Sequence, residues 1–217
     1  RGISDACNKL SMPVVAGNVS LYNETEGKSI PPTPQIGAVG IINNTDNQLS
    51  NKISKNNNQD IIVIGSTIGH LQCSIYAKEI AKIEKGCPPN INLDEELQHG
   101  KFILDLASLG LIDACKDLSD GGIGIALAEL CIMSKVGCEI ISPKSLNVNQ
   151  WLFGEDQARY IIITNKSEAI MNKAKSMNIE AKIIGKIKGN SFSLNNNKIS
   201  IEKITNIRNN WFHNYFS

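Results

Sequence analysis

Arginine is scarce in this chain of 217 residues, occurring only at Arg1, Arg159 and Arg208, and the remaining basic residues are scattered lysines. Bidentate arginine reading of phosphates is therefore a poor prospect. With a net charge of +1, nothing marks a nucleic-acid or membrane footprint. The six cysteines form no C-x-x-C pair and no Cys/His set with zinc spacing. Reduced, mostly buried thiols in a cytosolic protein are expected instead. The longest apolar runs, such as residues 61–64, are strand-sized, so neither a signal peptide nor a membrane span is expected and a cytoplasmic location is. No G-x-x-x-x-G-K-[ST] phosphate loop occurs, and residues 121–124 are too weak for a dinucleotide fingerprint. The three histidines, His70, His99 and His213, are isolated, which argues against a Ser/His/Asp or Cys/His nucleophile; only His70, after a glycine-rich loop, merits attention.

What is present is an ordinary globular composition, 41% hydrophobic and 20% charged, enough for a core. Residues 3–10 read as a helix with Ile3, Ala6, Cys7 and Leu10 on one face, followed by a strand at residues 13–16. A proline-stiffened connector at 28–34 leads to a glycine-punctuated apolar strand at 35–42, expected to pack closely against backbone. Residues 43–59, rich in Asn, Lys and Ser, form the best boundary, a linker or long surface loop. Beyond it strands and helices alternate. Strands are expected at 60–64, 112–118, 137–141, 160–164, 181–187, 191–194 and 198–201, the last two as a hairpin. Helices are expected at 71–85, 94–109, 123–134, 166–177 and 203–216. The helix at 94–109 opens on Asp94 and Glu95, which suit its dipole, and ends at Gly110. This alternation implies an α/β layer structure with one main core.

Three segments carry chemistry. Gly17-Asn18-Val19-Ser20-Leu21-Tyr22-Asn23-Glu24 joins a glycine, amides, a hydroxyl and a carboxylate in one turn. Gly17 admits close backbone approach, the Asn18 amide oxygen is a hard ligand suited to Mg²⁺, and Ser20 can donate to a polar substrate. A polar turn bonded to its own backbone explains the same residues. In residues 117–129 a strand ends in Asp117 and Asp120, and two glycines open a helix, a setting for anions and Mg²⁺. Asp120 or Ser119 serving merely as N-cap is the alternative. In residues 152–160, Glu155, Gln157 and Arg159 alternate as if into a strand, sharing one face. An edge-strand entry with solvated polar residues accounts for them equally.

Together the motifs P-V-V-x-G-N-V-S-L-Y-N-E-T (13–25), I-P-P-T-P-x-I-G-x-V-G (30–40), D-L-S-D-G-G-I-x-x-A-L-A-E (117–129) and L-F-G-E-x-Q-x-R (152–159) resemble the synthetase subunit of phosphoribosylformylglycinamidine synthase. The first motif separates that family from its relatives in the aminoimidazole ribonucleotide synthetase superfamily, such as selenophosphate synthetase or thiamine monophosphate kinase. The resemblance implies an α/β (α+β) fold: a PurM C-terminal-like domain whose mixed sheet carries helices mainly on one face, preceded by the last strands of a PurM N-terminal-like domain. It places residues 1–42 in the latter (third) domain, 43–59 in a linker and 60–217 in the former (fourth) domain.

The same resemblance implies an ATP-dependent ligase of purine biosynthesis. Such an enzyme converts formylglycinamide ribonucleotide, ATP and ammonia to formylglycinamidine ribonucleotide, ADP and phosphate. Gly17 would contact ATP, Asn18 would bind Mg²⁺ and Ser20 would contact substrate. The family's catalytic residues fall in a first half that this chain is expected to lack, so it reads as a C-terminal fragment, inactive by itself. Asp117, Asp120 and Glu155 would line an auxiliary, degenerate nucleotide site, or only hold structure. The loop at 70–74, His70-Leu71-Gln72-Cys73-Ser74, departs from the acidic, glycine-rich family version. Expected partners are a glutaminase subunit, a small bridging subunit and the N-terminal half of the same polypeptide. A non-catalytic scaffold is the competing reading.

Overall fold

The computed structural model describes residues 1–19, 23–30, 33–54 and 58–216. They divide into two units, Arg1–Asp46 and Asn47–Ser217. In the first, α1 (Gly2–Leu10) is the expected helix, closed by Ser11 in the left-handed region. A two-residue hairpin follows, β1 (Glu24–Thr25) against β2 (Lys28–Ser29). It turns at Glu26 and Gly27, both at positive φ, as a hairpin of this length requires.

The strands expected at 13–16 and 35–42 are not formed. A strand exists through its ladder, and among the described residues no ladder includes either segment. Val15 is 90% exposed, and Ile36, Val39 and Ile41 are exposed as well. A Cβ built at Gly37 or Gly40 meets nothing, so the close backbone packing expected there is absent too.

The second unit is built on a seven-stranded sheet in the order β4-β6-β3-β7-β5-β8-β9. Its strands are β3 (Asp60–Ile64), β4 (Ala114–Asp117), β5 (Cys138–Ile140), β6 (Tyr160–Thr164), β7 (Ala181–Ile187), β8 (Ser191–Leu194) and β9 (Asn197–Ser200). The pairings are antiparallel except β5 with β8, so the sheet is mixed as expected. β3 and β6 are continuous apolar runs because both faces are covered. Ile61, Val63, Ile161 and Ile163 join the larger core with α4 (Gly122–Ser134), α5 (Val148–Phe153) and the start of α7 (Ile201–Phe216). Ile62, Ile64 and Ile162 point the other way, against α3 (Leu93–Ser108) and α6 (Ser167–Ser176). The heavier layer is the α4/α5/α7 side; the α3/α6 layer adds to the mainly one-sided arrangement expected. Among the described residues no helix is long and apolar enough to cross a membrane.

Helix ends follow local chemistry. Asn92 caps α3 by accepting from the Asp94 and Glu95 amides, and Gly110, at φ 61°, lets the chain leave it. The helix expected at 71–85 shrinks to α2 (Ile75–Glu79). Ser74 caps its start through the Ala77 amide, and the chain departs at Ile80 and turns at Lys82, φ 56°. α5 was not anticipated. Its six residues are too few for a periodic signal, and its one cue is Asn147, whose side chain accepts from the Asn149 amide.

The polar segment 43–59 is not a bare linker. From residue 47 it belongs to the second unit. Ile53 is 2% exposed and donates its amide to Ser134 Oγ. Ser54 binds Asp113 through amide and hydroxyl, and the Ser50 carbonyl accepts from Cys115 at the outer edge of β4.

Phe102, fully buried beneath the sheet, anchors the α3 layer. Phe102→Ala is expected to cost about 3–5 kcal/mol, read as a lowered urea midpoint at unchanged slope.

Candidate functional site

Topology brings the second and third motifs together. The antiparallel pairings set Ile64, the end of β3, and Asp117, the end of β4, both opposite Tyr160, the start of β6. The loops leaving β3 (65–74) and β4 (118–121), and the segment entering β6 (154–159), therefore share one end of the sheet.

Arg159 stands at the centre. Its side chain is 0% exposed. Nε donates to the Asp156 carbonyl at 3.0 Å, Nη1 to Thr67 Oγ1 at 3.1 Å and Nη2 to the Gly154 carbonyl at 2.6 Å. The Asp156 carboxylate lies 3.6 Å from Nη1. Burial lowers the guanidinium pKa, while Asp156 and then Glu155 oppose that shift. Asp156 in turn receives three consecutive amides. Oδ2 accepts from Ile68 at 3.1 Å and Gly69 at 2.9 Å, and Oδ1 accepts from His70 at 3.0 Å. Successive amides aimed at one point make an anion cradle, filled here by the chain's own carboxylate. Gly69, at φ 80°, leaves no room for a side chain: a Cβ would lie 2.7 Å from that of Gln150.

Glu155 does the same for α4. One oxygen, Oε1, accepts from the Gly121 amide at 2.8 Å and from the Ile75 amide at 2.9 Å, so a single carboxylate ties the starts of α4 and α2. The Glu155 amide donates to the His70 carbonyl, closing the loop pair. His70 is itself held, its Nε2 2.9 Å from the Cys87 carbonyl oxygen.

These contacts correct two expectations and add one residue. Glu155, Gln157 and Arg159 do not share a strand face. Residues 154–159 are a loop, with Glu155 at the helix starts, Gln157 exposed and Arg159 buried. Neither Asp120 nor Ser119 caps α4: the N-cap residue is Gly121, without a side-chain bond, and Glu155 takes its amide. Asp156 was missed. It stands next to Glu155 and three residues before the one buried arginine, the single cue that the sequence offers.

Asp117 and Asp120 are both exposed beside this cluster. Asp117 acts on its neighbours: burial first and its charge second push the Cys115 thiol up to about 12. Gly17 and Asn18 lie in the first unit, exposed and outside any helix or strand, and Ser20 falls outside the described residues. Among the described residues no three His, Cys, Asp or Glu side chains gather as a metal site. The Asp156 oxygens and Glu155 Oε1 are already hydrogen-bonded to amides. The Asp156 carboxylate and Glu155 Oε1 are therefore held by the fold and are not gathered as a Mg²⁺ centre.

The comparisons with known proteins give this arrangement its class. Residues 57–194, more than half of the chain, match the model of the AIR synthase related protein C-terminal domain, and the chain belongs to that family. Within it, curated relatives include PurL subunits of phosphoribosylformylglycinamidine synthase, in agreement with the resemblance carried by the motifs. The Bartonella quintana subunit is 40% identical over 216 residues, covering 98% of this chain and 29% of the relative. The Granulibacter bethesdensis subunit is 42% identical over 189 residues, covering 87% of this chain and 25% of the relative. The chain thus spans under a third of the length of these relatives. Among solved structures, Thermotoga maritima PurL complexed with FGAR superposes with a TM-score of 0.63 at 16% identity, over 74% of this chain and 30% of that one. The T. maritima PurLQS structure gives 0.58 at 15%, over 74% and 28%. At such identities these superpositions show the fold.

Asp156→Asn should remove the countercharge of buried Arg159 and put an amide nitrogen among the donors of Ile68, Gly69 and His70. A loss of about 3–5 kcal/mol is expected in urea denaturation, against less than about 0.5 kcal/mol for the exposed Gln157→Ala. A second expectation concerns the thiols. At pH 8 a disulfide reagent should modify the exposed Cys73 and Cys87 rapidly, with Cys115, Cys131 and Cys138 reacting only after denaturant is added. Mass mapping of the labelled peptides checks this.

Proposed function

We propose that this chain is part of the synthetase subunit of a cytoplasmic phosphoribosylformylglycinamidine synthase, an ATP- and Mg²⁺-dependent carbon–nitrogen ligase. The parent enzyme would convert formylglycinamide ribonucleotide, ATP and ammonia to formylglycinamidine ribonucleotide, ADP and phosphate. A glutaminase subunit would supply the ammonia, and a small bridging subunit would assist assembly. The observation that carries this reading is the 40% identity to a PurL subunit over almost the entire chain. On the motif resemblance, Gly17 would contact ATP, Asn18 would bind Mg²⁺ and Ser20 would touch substrate, all acting with groups outside residues 1–217. Residues 1–42 would complete an N-terminal-like domain contributed mainly by those other residues.

For Asp117, Asp120 and Glu155 we favour the structural role over an auxiliary nucleotide site. Glu155 supports this choice because its Oε1 already receives two backbone amides. A carboxylate so engaged positions two loops through one oxygen and leaves Oε2 alone for any other partner. Asp117 and Asp120, being exposed, keep the auxiliary-site reading in play.

The chain of 217 residues should form no formylglycinamidine ribonucleotide when given formylglycinamide ribonucleotide, MgATP and ammonia, and should release no substrate-dependent ADP. Calorimetry with millimolar MgATP should show no binding heat; a saturable heat would establish the auxiliary site. In the intact synthetase, Asn18→Ala should lower kcat at least about 100-fold, as loss of one charge-stabilising ligand does. Activity unchanged in that variant would remove Asn18 from the site.

A further inference from the structure

A groove of about 750 Å³ runs between α3, α6 and the residues leading into β7, on the side of the sheet away from α4. Its volume lies in the range of small-molecule sites. The wall that distinguishes it is His99, a residue only 5% exposed. His99 Nδ1 lies 2.7 Å from the Ala158 carbonyl oxygen. A carbonyl only accepts, so Nδ1 carries the proton and Nε2 of the neutral ring is an acceptor. Among the described residues Nε2 has no hydrogen-bond partner. It is therefore a solvent-reached lone pair, its tautomer fixed from behind, on a mostly buried side chain that lines the groove.

The other groups extend that bias. Glu95 and Glu180 line the groove. The Lys182 ammonium and the Ser66 hydroxyl both bond to Glu180 and hold its carboxyl below the usual carboxylate range, so it is ionised at neutral pH. Met171 and Ile179 give an apolar strip, and a thioether beside an aliphatic side chain suits the face of a flat ring. Lys175 is the opposing cation on the rim.

We propose that this groove binds a small planar molecule with N–H donors along one edge, an amidine or an amino-substituted heterocycle. Its donors face His99 Nε2 and Glu95, with the Glu180 carboxylate, held by Lys182 and Ser66, behind them, and its ring lies on Met171 and Ile179. No residue of this site belongs to the Gly17, Asn18 and Ser20 set, so the inference stands independently of the catalytic reading.

Benzamidine and benzoate test it, being alike in shape and opposite in edge chemistry. Long-range ¹H–¹⁵N spectra of the chain should show His99 in the Nδ1–H form, and benzamidine should shift its Nε2 resonance saturably. Benzoate should bind at least about tenfold more weakly, a factor worth 1.4 kcal/mol. Asn172→Trp, placed on the exposed side of α6 at the groove, should abolish the benzamidine shift and leave the urea midpoint unchanged. An Nε2–H tautomer, equal or tighter benzoate binding under the control of Lys175, or no Nε2 shift at the solubility limit of benzamidine would each overturn the proposal.

Discussion

The second unit depends on one buried charge. Arg159 cannot lose its proton at any ordinary pH, and a guanidinium in a protein interior must be surrounded by acceptors. The chain supplies two backbone carbonyls, one hydroxyl and the Asp156 carboxylate. Meeting that demand fixes the path of residues 154–159 and orients Asp156. Asp156 in turn fixes residues 68–70 through three amides. The scarcity of arginine noted in the sequence takes on a different meaning here. The arginine best placed to read a phosphate is spent on the frame.

The same accounting decides what the acidic groups can do. Two features normally attract external anions: a run of consecutive amides and the N-terminus of a helix. Both are present, and both are occupied from within, the amide run by Asp156 and the start of α4 by Glu155. An anion approaching either would have to displace a carboxylate that also balances Arg159 or ties a second helix. This is the physical content of calling these segments structural. It accounts for motif-like residues whose described carboxylates do not gather as a metal site.

Much of the second unit was legible in the sequence because its signals are strong and local. Continuous apolar runs marked β3 and β6, and Asp94, Glu95 and Gly110 bracketed α3. α5 was illegible because six residues cannot display a helical period. α2 was overextended because periodicity does not register a turn at Lys82. The strands expected at 13–16 and 35–42 failed for another reason. Pattern shows that a segment is apolar enough to pair, whereas a strand needs a partner. Val15 and Val39 are exposed for want of a ladder among the described residues.

The site was legible in its letters and not in its wiring. The motifs at 117–129 and 152–159 meet in space, joined by the bond from the Gly121 amide to Glu155. Its role could not be read, since alternation suggested a strand face and the true geometry is a loop bent around a buried cation. Asp156, the more consequential acid, carries no motif signal of its own beside Glu155. Residue type and spacing report which groups are available; whether a carboxylate serves a ligand or the fold depends on where its lone pairs are already used. Glu155 Oε1 holds two amides, and Asp156 holds three across its two oxygens. By that criterion Gln59 Oε1, buried without a partner, and the imidazole Nε2 of His99 are acceptors with unused capacity among the described residues. The other nitrogen of His99 is fastened to Ala158, at φ 55°, so the segment between α5 and β6 holds the ring from behind.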